Sequence, residues 1–316
     1  MIKKTFKIGI LGAGNMSNHH LKVLKSFKNI EISSIYSRTL SKAYEKSKIF
    51  NIKNYTNSFK IFMQMEKYDG IVLIVSADQI SKFVKKLIPF KIPILIEKPL
   101  ALNIKDYQEI LQLNKIYKTP NMIGLNRRYY SIIQKGLKII RKNGISSILI
   151  EGHESYWKIK NSKKKNIIKD NWLFANSIHT LDLFLFFANS SFNKISIIDK
   201  KSNIKEKNFV TTIKFNNNII GTYLSFWSSP GQWSIKIFGN ENTLVFNPLE
   251  IGYSLDKNFK KIIIKPSKED LIFKPGLYLQ YKNFLKLIKT KNNSWPDVNI
   301  NSIANLYKLT HKLSIK

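Results

Sequence analysis

Phe6-Lys7-Ile8-Gly9-Ile10-Leu11-Gly12-Ala13-Gly14-Asn15-Met16-Ser17 decides the fold. Its first six residues read as a buried strand. A Gly-Ala-Gly turn follows, and His20, Leu21, Leu24 and Phe27 then recur at helical spacing. In this strand–turn–helix pattern, G-x-G-x-x-S, each small residue has a separate task. The first glycine permits the tight turn, and the second lets backbone approach a pyrophosphate. The third position must be small for helix–strand packing, which Ser17 nearly satisfies. A helix N-terminus offers N–H groups to phosphates. Gly12, Gly14, Asn15 and Met16 are therefore candidate cofactor residues. The plainer reading is a structural glycine turn.

The alternation continues downstream. Residues 30–36 read as a second strand that ends at Ser37-Arg38-Thr39. NAD-binding units commonly place Asp or Glu here to bond the ribose 2′-OH; this chain has neither. Ser37 and Arg38, helped by Thr39 or Lys42, suit a 2′-phosphate. The expected cofactor is NADP(H), with NAD(H) as the second choice. A solvent-facing Arg38 is the alternative. Residues 40–50 and 58–65 read as helices around a short strand at 51–56. The apolar strand at 70–75 ends in Ser76-Ala77-Asp78-Gln79, where Ser76 and Asp78 can meet the nicotinamide end of a dinucleotide. Helices at 80–87 and 103–118 and a strand at 121–125 follow, leading to Asn126-Arg127-Arg128-Tyr129. Strands alternating with helices predict an α/β fold with a doubly wound parallel sheet.

Residues 92–96 form an apolar, β-branched run that closes in Glu97-Lys98-Pro99. Charges at the carboxyl end of a parallel strand stand where open α/β sheets bind ligands. Pro99 removes an N–H and fixes φ, stiffening the backbone beside Lys98. A lysine held there can change its pKa and move a proton. The alternative is a solvated charged pair beside a strand stop.

The chain has 316 residues, enough for two domains. It has no cysteine, which excludes disulfides, thiol catalysis and Cys-based metal sites. No metal site is expected. No apolar run matches a membrane span, and the basic start breaks into glycines without a signal-peptide core. A cytoplasmic location and no membrane partner are expected. The net charge of +33 raises the question of nucleic acid. Against it, only Arg38, Arg127, Arg128 and Arg141 are arginines, and the lysines are spread along the whole chain. Lysine, isoleucine and asparagine are inflated together, as A/T-rich codons would produce. No nucleic-acid partner is expected.

In the second half, Asn176 or Ser177 can cap an apolar helix that carries His179 in its first turn. Asp182 lies three residues later on the same face, placed to orient the histidine or contact a substrate. A core histidine beside a surface aspartate is the plainer reading. Residues 153–171, with Lys163-Lys164-Lys165, read as a mobile, solvated loop. The sharper reading has that loop cover an anionic substrate, with Arg127, Tyr156, Trp157 and Trp172 adding charge and stacking surface. Residues 278–289 read as an amphipathic helix and 301–313 as the last one, both scaffold.

Gly12-Ala13-Gly14 with His20, then Glu97-Lys98-Pro99, then Gly124-Leu125-Asn126-Arg127-Arg128-Tyr129, resemble the Gfo/Idh/MocA oxidoreductases in order and spacing. His179-x-x-Asp182 and the turn Gly239-Asn240-Glu241-Asn242 fit too, so the resemblance covers essentially the whole chain. It implies a Rossmann domain, residues 1–121, and a substrate and oligomerisation domain, residues 122–316, with a large, open, mostly antiparallel sheet. It implies hydride transfer between a nicotinamide cofactor and a sugar, nucleotide sugar or polyol, and a homo-oligomer, dimer or tetramer. The cofactor would then also meet Glu97, Lys98 and Asn126. Lys98, whose bond to proline is often cis in that family, and His179 become the candidate catalytic pair. Arg127, Trp172, Asn176 and Asp182 become the candidate substrate residues. One departure stands out. The family's glycine pair and the Asp four residues before the histidine are replaced by Asp170-Asn171 and Ala175. A cofactor-binding regulatory or structural protein without turnover is therefore the alternative function.

Overall fold

The computed structural model describes residues 5–142, 144–199 and 208–315. Residues 1–4, which begin the basic start, lie outside them. The chain forms two units. The first is Met1–Leu125 with Ile272–Ile303, and the second is Asn126–Leu271 with Ala304–Lys316. Whereas the sequence suggests a single division near residue 121, the chain returns to its first unit late.

In the first unit the elements run β1 (Phe6–Leu11), α1 (Asn15–Lys25), β2 (Ile30–Tyr36), α2 (Leu40–Ile49), β3 (Asn54–Thr56) and α3 (Phe59–Met65). They continue through β4 (Gly70–Leu73), α4 (Ala77–Leu87), β5 (Ile94–Glu97), α5 (Ile104–Tyr117) and β6 (Asn121–Gly124). The six strands are all parallel, in the order β3-β2-β1-β4-β5-β6. β4, β5 and β6 are buried at every residue, the pattern of strands covered on both faces. Ile8, Ile10, Val72, Leu95 and Ile96 are fully buried, each stabilising by roughly 1.5–3 kcal/mol. Ser58 and Asn103 cap α3 and α5 by accepting from the backbone N–H three residues on. The outer edge of β6 does not stay open. Ile123 N–H donates to the Val298 carbonyl, and Asn121 Oδ1 accepts from Ile300 N–H, both at 2.8 Å. The returning segment thus covers an edge that would otherwise be exposed.

The second unit holds α6 (Ser131–Ile140), β7 (Ile145–Gly152), two short helices, α7 (Tyr156–Asn161) and α8 (Asn166–Asp170), a π-helical turn at Leu173–Ser177, and α9 (Ile178–Ala188). β8 (Phe192–Asp199), β9 (Asn208–Phe215), β10 (Ile220–Phe226), β11 (Trp233–Gly239), β12 (Asn242–Phe246), β13 (Gly252–Asp256) and β14 (Lys261–Ile264) come next. α10 (Lys268–Ile272) ends this stretch. α11 (Leu277–Thr290) belongs to the first unit, and α12 (Ala304–Ser314) closes the second. The sheet order is β14-β13-β12-β11-β7-β10-β9-β8. All pairs are antiparallel except β7 with β10. β9 alternates buried and accessible residues, as a sheet covered on one face should. Phe184, Phe186, Phe187, Phe209, Phe215, Tyr223, Trp227 and Phe246 fill that covered side.

Residues 153–171 differ from the loop expected. Ile159 and Ile168 are buried and anchor α7 and α8, while Lys163, Lys164 and Lys165 stay exposed between them. Apolar anchors at both ends decide against a free loop. No helix among the described residues is long and apolar enough to cross a membrane.

Candidate functional site

In a parallel sheet all carboxyl ends share one edge. Gly12 leaves β1 there, Ser37 leaves β2, and Lys98 leaves β5, while Ser76 stands just beyond β4. β2 and β3 lie to one side of β1 and β4 to the other, so the strand order reverses between β1 and β4, the usual position of a ligand crevice. Gly12 has φ +121°, and a Cβ there would run into the Ile74 carbonyl. Only glycine fits. Gly14 is different: its φ is −81°, and a Cβ would meet nothing within 4 Å. The fold leaves space there that a pyrophosphate would use. The N-terminus of α1 has no side-chain cap and no acidic residue in its first turn, which leaves Asn15 and Met16 suited to an anion. Ser17 is buried and its Oγ donates to the Gly14 carbonyl at 2.6 Å, closing the turn. These residues fit a dinucleotide phosphate.

At the end of β2, Ser37 is half-buried and Arg38 exposed, with no carboxylate among the described residues paired to Arg38. Ser76 is the N-cap residue of α4, which begins at Ala77, three residues before the expected start of that helix. Asp78 lies in its first turn, where the helix dipole favours an acid, and its Oδ2 accepts from Gln79 Nε2 at 2.8 Å.

Glu97 is the last residue of β5, paired with Gly124 of β6, and its side chain is buried. Its Oε1 lies 3.1 Å from His20 Nε2, a close contact off the hydrogen-bond line. Its carboxylate is thus turned inward to His20. His20 Nδ1 in turn lies 2.7 Å from the Tyr281 hydroxyl. Lys98 is half-buried, and its bond to Pro99 is cis. Tyr281 lies in the amphipathic helix that the sequence marks only as scaffold.

The second unit brings Asn126, Arg127 and His179 together. Arg127 Nη1 donates to Asn126 Oδ1 at 2.7 Å and to His179 Nε2 at 3.2 Å. An arginine only donates, so Nε2 accepts and the imidazole proton sits on Nδ1. The Arg127 guanidinium packs over the Tyr130 and Trp233 rings, 5.7 and 5.6 Å from their centroids. His179 is 1% exposed, with its ring 6.3 Å from Trp233. Burial pushes the Tyr130 hydroxyl up to about 12, so it stays neutral.

Asp182 requires a correction. Its carboxylate is bonded to Arg128 rather than turned to His179. It is 1% exposed and holds Arg128 through two bonds, Nε to Oδ2 at 2.6 Å and Nη2 to Oδ1 at 2.7 Å. Burial pushes its carboxyl up, and Arg128 opposes this. A bidentate partner 54 residues away is not visible in a local motif. Ser177 does not cap α9 either, because the helix runs on from the π-helical turn. Its Oγ instead donates to Glu154 Oε1 at 2.6 Å. Glu154 also accepts from Trp172 Nε1 at 2.8 Å and from Asn176 Nδ2 at 3.3 Å. Trp172 and Asn176, expected at the substrate, thus spend these donors on Glu154. Where Ala175 lacks a carboxylate, Glu154 supplies one to the same turn. Nothing in the sequence marks a lone glutamate after β7 for this. Among the described residues no three His, Asp or Glu side chains converge as a metal site.

Residues 6–124 match the family described as oxidoreductase family, NAD-binding Rossmann fold (GFO_IDH_MocA). The glucose-6-phosphate 3-dehydrogenase of Bacillus subtilis is 24% identical over 267 residues, covering 79% of this chain and 71% of that protein. A dehydrogenase from Chromobacterium violaceum has a similar structure, with TM-score 0.86 at 13% identity, over 98% of this chain and 94% of that one. The UDP-N-acetylglucosamine 3-dehydrogenase of Acidithiobacillus ferrooxidans superposes with TM-score 0.77 at 14% identity, over 100% and 97%.

Proposed function

Because residues 6–124 match the Gfo/Idh/MocA oxidoreductase model with its NAD-binding Rossmann fold, we propose that the chain is a member of that family and moves a hydride between NADP(H) and a secondary alcohol or ketone of a sugar, nucleotide sugar or polyol. One observation carries this reading: Lys98 leaves the same sheet edge as the Gly12–Ser17 turn. A proton-handling group and a phosphate cradle on one edge suit a dehydrogenase.

Oxidising such an alcohol separates a hydride from a proton. The nicotinamide, when bound, supplies or accepts the hydride. The proton falls to side chains that can reach the substrate oxygen. Lys98 is the first of these and His179 the second. Arg127 fixes the imidazole with its proton on Nδ1 and brings positive charge to the substrate side. Ser37 and Arg38, with no carboxylate beside them, favour a 2′-phosphate and hence NADP(H). The sugar class is supported by the relative named for glucose 6-phosphate and the neighbour named for UDP-N-acetylglucosamine.

Ala175 and the Arg128–Asp182 pair favour a second reading, a cofactor-binding protein without turnover. A screen of NADP⁺ reduction with neutral sugars, sugar phosphates and nucleotide sugars separates the two. The first reading expects turnover with at least one of them and its collapse in Lys98→Ala. Near-wild-type turnover in Lys98→Ala would overturn the assigned role. Tight NADPH binding with no turnover on any substrate would favour the second reading.

A further inference from the structure

We propose that Tyr281 and His20 are positioning residues for Lys98, acting on it through Glu97. The proposal rests on Lys98 being the working group named above.

Three buried polar side chains from three separate stretches of the first unit form one chain of contacts. Tyr281 comes from α11, His20 from α1, and Glu97 from the last position of β5. His20 and Tyr281 are both wholly buried, and Glu97 is 8% exposed. The Tyr281 hydroxyl is 2.7 Å from His20 Nδ1, and His20 Nε2 is 3.1 Å from Glu97 Oε1. The His20 and Tyr281 rings meet edge to face at 84°, which fixes the imidazole plane.

The direction of the chain follows from its chemistry. Burial, reinforced by Glu97, pushes the Tyr281 hydroxyl well above the usual tyrosine range. It therefore stays a neutral phenol. With an acceptor-only carboxylate 3.1 Å from Nε2, the imidazole proton is favoured on Nε2, beside Glu97 though off the hydrogen-bond line, and the phenol donates to Nδ1. Gly124 leaves the room that this carboxylate occupies, since a Cβ there would lie 3.0 Å from Oε1.

A buried carboxylate is costly to the fold, and apolar residues of similar volume would pack such a place at least as well. Here the cost falls one residue before Lys98, at the end of the strand that delivers it. The chain fixes where the Glu97 charge stands, and so fixes the field and backbone from which Lys98 projects. Loss of the Tyr281 hydroxyl lets the imidazole carry its proton on either nitrogen. The hold on Glu97 then weakens, its charge is less neutralised, and the Lys98 ammonium keeps its proton more firmly.

The test is competitive labelling of the full chain with acetic anhydride, read by peptide mass spectrometry across a pH series. Wild type is compared with Tyr281→Phe and His20→Gln, with Lys98→Ala identifying the peptide. The expected result is a Lys98 profile displaced to higher pH in both variants. At fixed pH below the midpoint this is a labelling rate lower by about threefold or more, given tenfold per pKa unit. The other lysines serve as internal references and keep their profiles. Should His20→Gln fail to fold, the isosteric Tyr281→Phe decides alone, with its melting checked. A Lys98 profile identical in wild type and a folded Tyr281→Phe overturns the proposal and leaves a purely structural cluster. The two readings fail separately. If Lys98 labelling responds while Lys98→Ala keeps full turnover, the catalytic role falls. If Lys98→Ala abolishes turnover while labelling ignores both variants, the positioning chain falls.

Discussion

Arg128 and Asp182 form a buried, two-pronged ion pair between the turn after β6 and the first turns of α9, with bonds of 2.6 and 2.7 Å. The Arg128 guanidinium also lies 5.2 Å from the Phe186 ring centroid. This pair is a fastening inside the second unit. Removing one partner strands the other charge without water. Asp182→Ala should therefore cost about 3–5 kcal/mol of stability, read from the urea midpoint. A loss under 1 kcal/mol would mean that the pair is solvated and Asp182 is open to another role.

The two glycines of the turn should behave differently. Gly14→Ala places its methyl in open space and should melt like wild type. It should nonetheless weaken NADPH binding by about tenfold, roughly 1.4 kcal/mol, because the phosphates need that space. Gly12→Ala collides with the Ile74 carbonyl and should lower the melting temperature itself. Fluorescence titration with NADPH beside thermal melts reads both. Unimpaired cofactor binding in Gly14→Ala would remove this turn from the site.

Arg38→Ala should discriminate between cofactors. A charge-assisted contact to a 2′-phosphate is worth about 1.5–3 kcal/mol, so NADPH affinity should fall about tenfold to a hundredfold. NADH affinity should stay put. Equal losses for the two, or none, would return Arg38 to the solvent.

Glu154→Ala should unsettle the turn before His179. Trp172, Asn176 and Ser177 would each lose an acceptor. Leaving such donors unpaired costs about 1–3 kcal/mol apiece where they are buried. Ser177 is wholly buried and sets the lower bound. Glu154→Gln keeps an acceptor and should recover part of the loss in a denaturant series. Equal stability of Glu154→Ala and wild type would contradict the assigned clamp.

Alkali should destabilise both units. Burial pushes Tyr68, Tyr107, Tyr130 and Tyr223 up to about 12 from an ordinary value of 10.0. In the unfolded chain these phenols ionise near 10, so above that pH the folded state binds more protons than the unfolded one. Stability is then complete below pH 10 and declines as pH rises toward 12. Phenolate absorbance followed with far-ultraviolet circular dichroism should show late ionisation coinciding with unfolding. Early ionisation in an intact fold would contradict the burial of these hydroxyls.

The legible parts of the chain are those set by local pattern. β1 to β6 are short apolar runs punctuated by glycine, proline and polar turns, and their parallel direction follows from the helices between them. Ser58 and Asn103 announce α3 and α5 because capping is local chemistry. β8, β13 and β14 gave no such signal. β14 is mostly exposed, with Ile262 and Ile263 facing solvent, so its sequence carries no buried–exposed alternation. In the site, the glycine turn and Lys98 are readable because strand, turn and strand end define them. Asp182 misled because its true partner is remote. Tyr281 sat on the apolar side of its helix, and nothing local tells that its hydroxyl reaches His20. Glu154 acts by collecting donors from a turn that only the folded chain brings to it.

The late return of Ile272–Ile303 to the first unit bears on how the protein is made. Synthesis is vectorial, and domains generally fold as units as they emerge. A nascent chain that has reached Leu125 has its six parallel strands but neither Tyr281 for His20 nor Val298 and Ile300 for the edge of β6. Until residues 281–300 have left the ribosome, that edge stays unpaired and the His20–Glu97 contact lacks its third member. The six strands of the Rossmann unit are thus translated before the body of the second unit and completed only after it, and their exposed edge during that interval is a natural target for a chaperone.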